Sequence, residues 1–139
     1  MNNIEFCIKE LGCALVPITG TSMLPLLEEG KALAEVEASD KKQLKKGDVV
    51  LYKKNDNTLV LHRIIKIEGE DNFTVLGDHQ FKNAEQIKGE QIIAVARAFF
   101  INGRYVDGKT PIYRIYKKIW LSSLTLRRFC LCLLSIKKK

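Results

Sequence analysis

The chain has 139 residues, of which 46% are hydrophobic and 28% are charged. This is enough for one domain with a sizeable core, and it excludes a disordered tail, a collagen-like repeat and a disulfide-stabilised mini-protein. The net charge of +7 comes from one end of the chain, because residues 109–139 hold nine basic and no acidic side chains. Residues 1–108 hold 14 basic and 16 acidic side chains. Such a body offers no basic face to track phosphates, so we expect no nucleic-acid partner.

The N-terminal segment predicts a short helix followed by extended chain. Asn3 can cap a helix that carries Ile4, Ile8 and Leu11 on one face, and Gly12 ends it. An extended segment over 14–18, a turn over 19–23, a strand over 32–37 and a polar, lysine-rich loop over 39–46 then follow in order.

The middle of the chain predicts a series of hairpins. Apolar and β-branched residues dominate it, helical periodicity is absent between about residues 14 and 106, and Asn102-Gly103 is a strong two-residue turn signal. We therefore predict a mainly β domain over residues 1–108, built as coiled antiparallel sheets or a partial barrel. The strands are expected at 48–53, 58–68, 73–76, 91–101 and 104–106.

Residues 109–139 predict a basic amphipathic helix. Pro111 suits the first helical turn, and apolar residues recur at helical spacing among arginines and lysines. The apolar stripe can pack on the β domain, or residues 111–139 can bind an anionic membrane surface peripherally. Both interpretations remain open from the sequence. The apolar positions are Ile112, Ile115, Ile119, Leu126, Phe129, Leu133 and Ile136.

No apolar run approaches the ~18 residues that span a bilayer, and the N-terminus lacks the features of a signal peptide. We therefore expect a cytoplasmic protein, with peripheral contact at the inner face of the cell membrane if the C-terminal helix binds lipid. The four cysteines form no CxxC pair and no histidine lies beside them, so no metal site and no cofactor are expected.

Two elements could carry chemistry. Ser22 follows a glycine turn and precedes Pro25, a backbone that can expose the hydroxyl and direct N–H groups at an oxyanion, although a plain turn serine explains it as well. His62 lies in the strand LVLHRIIKI, where a core or surface role is the more usual one for an imidazole.

Together, these elements resemble the S24/S26 serine peptidases, which include type I signal peptidases and self-cleaving repressors. The segment GTSMLPLLEEG at 20–30 is similar to the nucleophile box, and KKGDVVLY at 45–52 to the strand that follows it. LHRII at 61–65 is similar to the general-base box of the histidine branch, and VLGDH at 75–79 to the later Gly-Asp box. The four boxes occur in the family order. The chain is most similar to small bacterial members without a membrane anchor.

The resemblance implies a serine endopeptidase that cleaves a leader or signal-like segment of a peptide or protein. It implies Ser22 as nucleophile, His62 as general base and Asp78 as the third catalytic residue. The backbone N–H groups of Ser22 and Met23 would form the oxyanion hole. Substrate would contact Gly20, Thr21 and Pro25.

Two alternatives are kept. Lys66 or Lys53 could serve as the base in place of His62, and the fold could bind a peptide without cleaving it. The second alternative draws on departures from the family pattern, since Lys31 replaces an Asp and the second acidic residue beyond Asp78 is not evident in Asn83, Ala84 and Glu85.

Overall fold

A computed structural model describes residues 3–137, with side chains described as far as residue 134. One antiparallel sheet of eight strands forms the body, and three α-helices flank it. The helices are α1 (Asn3–Leu11), α2 (Pro111–Ser122) and α3 (Leu124–Lys137). The strands are β1 (Cys13–Pro17), β2 (Ala32–Glu37), β3 (Val49–Lys53), β4 (Leu59–Glu68), β5 (Asn72–Leu76), β6 (Glu85–Lys88), β7 (Ile92–Ile101) and β8 (Arg104–Asp107).

The sheet is open and runs in the order β1-β2-β7-β3-β4-β5-β6. The first half of β7 pairs with β3, and its last residues pair with β8 through the hairpin at Asn102-Gly103. Both turn residues have positive φ angles, 51° and 79°, as this hairpin type requires. The mainly β, antiparallel fold with a helical C-terminus is thus confirmed.

Two apolar clusters fill the two faces of the sheet. The first joins α1, β1, β2 and β7 to the turn after Ser22, through Met23 and Leu27. The second lies across β3, β4, β5 and β6 and includes Tyr52 and Ile64. Alternation along β3 explains the division, because Val49 and Leu51 enter the first cluster whereas Val50 and Tyr52 enter the second.

Three details differ from the sequence prediction. Strand β6 was not predicted, because its sequence, EQIK, has one apolar residue. A 3₁₀ turn at Lys41–Gln43 interrupts the polar loop. Leu11 was expected on the packed face of α1, yet it ends the helix and its side chain is 74% exposed.

The C-terminal segment forms two helices where a single one was predicted. Ser123 separates them, and its side chain and carbonyl oxygens accept from the N–H groups of Leu126 and Arg127, which starts α3 as an N-cap does. The residues buried against the body are Tyr113, Trp120 and Arg127. Much of the predicted apolar stripe faces outward, with Ile112 80% exposed and Phe129 60% exposed. Residues 138–139 of the predicted helix lie outside the described residues.

None of the three α-helices described for residues 3–137 combines the length and the apolar content needed to traverse a lipid bilayer.

Candidate active site

Ser22 lies in a tight turn between β1 and β2, and it is partly exposed. The Leu24 N–H donates to the Thr21 carbonyl at 3.1 Å and the Leu27 N–H donates to the Met23 carbonyl at 2.9 Å, so the turn is closed by its own backbone. The Met23 and Leu27 side chains are buried in the first apolar cluster. The turn is therefore fixed to the core while its serine remains at the surface.

Ser22 opens onto a cleft of about 390 Å³ between two strand edges. One wall is β1 and the residues after it, and the other is the start of β4, from Leu59 to Leu61. On the β1 side the sheet ends, and β5 pairs with β4 only from Arg63 onward. The cleft therefore has strand edges on two sides and the Ser22 hydroxyl group within its lining.

His62 follows Leu61 in β4, directly opposite Val50 in β3, and its side chain is 9% exposed. Its Nδ1 atom lies 3.3 Å from the Tyr52 hydroxyl oxygen, and that hydroxyl donates to Glu85 Oε2 at 2.9 Å. Burial, supported by the Glu85 carboxylate, raises the pKa of Tyr52 above its usual range, so the phenol keeps its proton.

This chain of contacts defines the tautomer of His62. Tyr52 has one O–H proton, which it donates to Glu85, so its oxygen can only accept from a protonated Nδ1. The lone pair of the neutral imidazole is then on Nε2. Burial lowers the pKa of His62 to about 4, although the carboxylates of Glu85 and Asp78 oppose the shift. His62 is therefore uncharged at pH 7 and can accept a proton.

Asp78 is fully buried and forms an ion pair with Arg63, the residue after His62. Arg63 Nε donates to Oδ1 at 2.8 Å, and Nη2 donates to Oδ2 at 2.9 Å. The Tyr116 hydroxyl donates to Oδ2 at 2.8 Å. Burial alone would lower the pKa of Arg63, but Asp78 more than offsets this and raises it above its usual range. Arg63 therefore remains charged.

The loop that carries Asp78 also holds the Ser22 turn. The N–H of His79 donates to the Ser22 carbonyl at 2.9 Å, and the Gly77 backbone packs against the same carbonyl. Ser22, Asp78 and the strand of His62 therefore meet in one region. Among residues 3–137, no hydrogen bond joins Ser22 to His62 or His62 to Asp78; the partner of His62 Nδ1 is Tyr52.

The predicted substrate residues are divided between two surfaces. Gly20 and Thr21 are exposed at the start of the Ser22 turn, and Gly20 has a positive φ of 74°. Pro25 lines a second groove of about 720 Å³, nearly all apolar, which the C-terminal helices border with Trp120 and Leu133. Substrate contact by these three residues stays a prediction.

The two lysines considered as alternative bases form ion pairs. Lys66 is exposed and pairs with Glu68 at 2.6 Å, and Lys53 pairs with Glu5 of α1 at 2.9 Å. Neither lysine lines the cleft that contains Ser22, and the His62 side chain does not line it either, although the preceding residues Val60 and Leu61 do.

The residues that motif comparison missed are the partners of the site. Tyr52 is the next-to-last residue of the predicted strand at 48–53, and Glu85 lies in the stretch where a second acidic residue was not evident. Alternation along β3 could have indicated Tyr52. Val50 pairs with His62, and Tyr52, two residues further along β3, lies on the same face of the sheet as Val50. No local pattern points to Trp120 or Arg127, which approach the Asp78 loop from the C-terminal helices.

A comparison with curated proteins supports part of the family resemblance. Over 68 residues the chain is 37% identical to signal peptidase I W of Bacillus subtilis (strain 168). The matched segment is 49% of this chain and 33% of the relative, so this chain spans about a third of the length of that protein. No protein-family model matches the chain. This partial similarity supports an S26-like relationship at most.

The contact between the two loops can be tested at Gly77. A Cβ atom there would clash with the Ser22 carbonyl oxygen, whereas a Cβ at Gly108 would meet nothing within 4 Å. We expect Gly77→Ala to lower the free energy of unfolding by about 1–3 kcal/mol because the loops must separate. Gly108→Ala should change it by less than about 0.5 kcal/mol. Urea unfolding measures both, and equal effects would contradict the close approach of the loops.

The low pKa of His62 predicts a pH dependence of stability. Between about pH 6.5 and 4 the unfolded chain protonates His62 and the folded protein does not, so acid favours unfolding. The contribution of the neutral His62 to the free energy of unfolding is fully present above pH 6.5. It decreases by up to about 1.4 kcal/mol per pH unit down to pH 4. Urea unfolding at several pH values should show a shallower dependence for His62→Gln than for wild type.

The matched control is His79→Gln, because His79 is the other histidine and is exposed. Its pH dependence should follow that of the wild type. A His62→Gln variant with the same slope as the wild type would show that His62 is not buried in the neutral form.

Proposed function

We propose that the chain is a serine endopeptidase related to type I signal peptidases, and that it cleaves a leader or signal-like segment of a peptide or protein. The observation that carries the proposal is the cleft, which Ser22 lines on one side and Leu61 of β4 lines on the other. Leu61 directly precedes His62, which is buried and neutral. The partial similarity to a protein named as a signal peptidase supports a peptidase-related function. The expected setting is bacterial peptide maturation.

In the proposed reaction His62 Nε2 takes the Ser22 hydroxyl proton as the oxygen attacks the scissile carbonyl carbon. The backbone N–H groups of Ser22 and Met23 stabilise the resulting oxyanion, an effect for which one donor typically contributes about 3–4 kcal/mol. His62 returns the proton to the leaving amine as the C–N bond breaks. Water, deprotonated by His62, then hydrolyses the acyl-enzyme and releases Ser22.

Asp78 acts in this proposal through charge and position. Its oxygens accept from Arg63 and Tyr116, so its contribution to His62 is electrostatic stabilisation of the imidazolium. The Tyr52–Glu85 pair supplies the direct contact that orients the ring. The negative charge of Glu85 also favours the imidazolium that forms during the reaction.

The two strand edges of the cleft suit an extended peptide. A substrate strand could add to β1 or to residues 59–61 of β4 by main-chain hydrogen bonds, with its side chains in the shallow apolar lining. Gly20 and Thr21 would flank the scissile bond on the Ser22 side. Pro25 would contact substrate on the neighbouring apolar groove.

A peptide-binding module without catalysis is the second candidate. The observation in its favour is that Ser22 and His62 share no hydrogen bond among the described residues. Such a module would use the same cleft, and reaction at Ser22 distinguishes the two functions.

The outward face of the C-terminal helices supports peripheral membrane contact as part of the proposal. Ile112 and Ile115 are 80% and 61% exposed, and basic residues of α2 lie between and after them. The apolar residues can enter the membrane interface, and each lysine near anionic lipid contributes roughly 1 kcal/mol to binding. Both features suit the inner leaflet. Cleavage would then take place next to the membrane.

A serine-directed acylating probe tests the enzymatic proposal. We expect labelling of the wild type at Ser22, none in Ser22→Ala, and labelling about 10²–10⁴-fold slower in His62→Gln because the general base is removed. Ser39→Ala is the matched control and should label as fast as the wild type, since the Ser39 hydroxyl donates to the adjacent Asp40 carbonyl and does not line the cleft. Mass spectrometry locates the adduct. A folded, unlabelled wild type would favour the binding module.

Vesicle sedimentation tests the membrane proposal. We expect the full chain to sediment with vesicles rich in phosphatidylglycerol more than with phosphatidylcholine alone. The double variant Ile112→Glu/Ile115→Glu should lose this binding. Phe6→Glu/Leu11→Glu is the matched control, because α1 exposes these two apolar residues to similar extents, 57% and 74%. Equal sedimentation of both double variants with the anionic vesicles would contradict a specific role for α2.

A further inference from the structure

The loop from Gly77 to Gln80 contacts the Ser22 turn on one side and the C-terminal helices on the other. Toward Ser22, the loop uses the His79 N–H, which donates to the Ser22 carbonyl at 2.9 Å. Toward the helices, it uses the carbonyl groups of its other three residues, Gly77, Asp78 and Gln80. The backbone of this loop is therefore held from both sides.

Arg127 of α3 supplies two of the three hydrogen bonds that the helices donate to the backbone of the loop. Its Nη1 donates to the Gly77 carbonyl at 3.1 Å and to the Gln80 carbonyl at 2.9 Å, while its Nη2 donates to the Trp120 carbonyl at 3.1 Å. Trp120 completes the set, because its Nε1 donates to the Asp78 carbonyl at 2.7 Å. One guanidinium thus joins α2, α3 and the loop.

Burial of Arg127 reduces the stability of the fold, and packing alone does not explain why an arginine occupies this position. Its side chain is fully buried, its hydrogen-bond acceptors are neutral carbonyls, and its Nε has no partner among the described residues. Burial lowers the pKa of Arg127. A buried cation with incomplete hydrogen bonding reduces stability relative to an apolar side chain of similar size. The fork shape of the guanidinium, which reaches several carbonyls at once, explains its use here.

We propose that Arg127 is a positioning residue that fixes the Gly77–Gln80 loop and, through the His79 N–H, the backbone of Ser22. This inference rests on the proposed function. The C-terminal helices then form part of the catalytic unit, even though no helix residue between 111 and 134 lines the cleft that contains Ser22. A displacement of about 1 Å at a reacting group can reduce rates by about 10²-fold, so loss of this contact should be measurable as slower acylation.

The test compares Arg127→Met with Arg128→Met in the full chain. The two residues are adjacent in α3, but Arg128 is exposed and lies over the Phe81 ring, 5.4 Å from its centroid. We expect Arg127→Met to slow acylation of Ser22 at least about tenfold and to speed amide exchange at His79 at least about tenfold. Arg128→Met should stay within about twofold of the wild type in both measurements.

Cooperative urea unfolding identifies the folded fraction of each variant, and rates are expressed per folded molecule. If Arg127→Met does not fold, Arg127→Lys serves in its place, because an ammonium keeps the charge and cannot span the same carbonyls. Its acylation and exchange should shift in the same directions.

The outcomes separate this inference from the proposed function. Faster His79 exchange without slower acylation would mean that Arg127 only stabilises the fold, and unchanged exchange would mean that it does not hold the loop; either result overturns the proposal. A wild type that is not acylated at Ser22 overturns the proposed function, and the positioning role with it.

Discussion

The buried ion pair between Arg63 and Asp78 connects the strand that carries His62 with the loop that holds Ser22. Arg63 follows His62 in β4, and Asp78 precedes His79, whose N–H donates to the Ser22 carbonyl. Both charged side chains have no exposed surface. Such a pair adds little net stability, but removing one partner typically costs about 3–5 kcal/mol because the other charge remains buried. The position of the strand of His62 relative to the turn of Ser22 therefore depends on an ion pair whose two partners are both needed.

Because side chains alternate between the two faces along β4, Glu85 and Asp78 interact with different residues of this strand. His62 and Arg63 are adjacent, so their side chains leave the strand on opposite faces. His62 reaches Glu85 through Tyr52 on the face of the second apolar cluster, and Arg63 binds Asp78 directly. Burial keeps the imidazole neutral, while the phenol determines which nitrogen carries the proton. The Tyr52 hydroxyl thus contacts the His62 nitrogen that a carboxylate would contact in a catalytic triad.

Local patterns in the sequence were sufficient to predict most strands and to identify the four motif boxes in their order. Turn signals such as Asn102-Gly103 and alternating apolar residues act over a few positions, and such short-range rules predict hairpins well. The partners of the site could not be found in this way. Tyr52 and Glu85 are 33 residues apart, and Arg127 is 50 residues from the Gly77 carbonyl, so only the folded sheet and helices bring them together. The Ser122-Ser123 pair was a capping signal that the helical periodicity obscured.

The C-terminal helices have two faces with different chemistry, since Tyr113, Trp120 and Arg127 face the body and Ile112 and Phe129 face outward. One segment can therefore support the Ser22 region and contact a surface. In the proposed function Ser22 and His62 act together, and a crystal structure with a peptide aldehyde can test this. We expect a bond from Ser22 Oγ to the aldehyde carbon, with His62 Nε2 within about 3.2 Å of the adduct. An aldehyde bound elsewhere, or an imidazole beyond that reach, would contradict it.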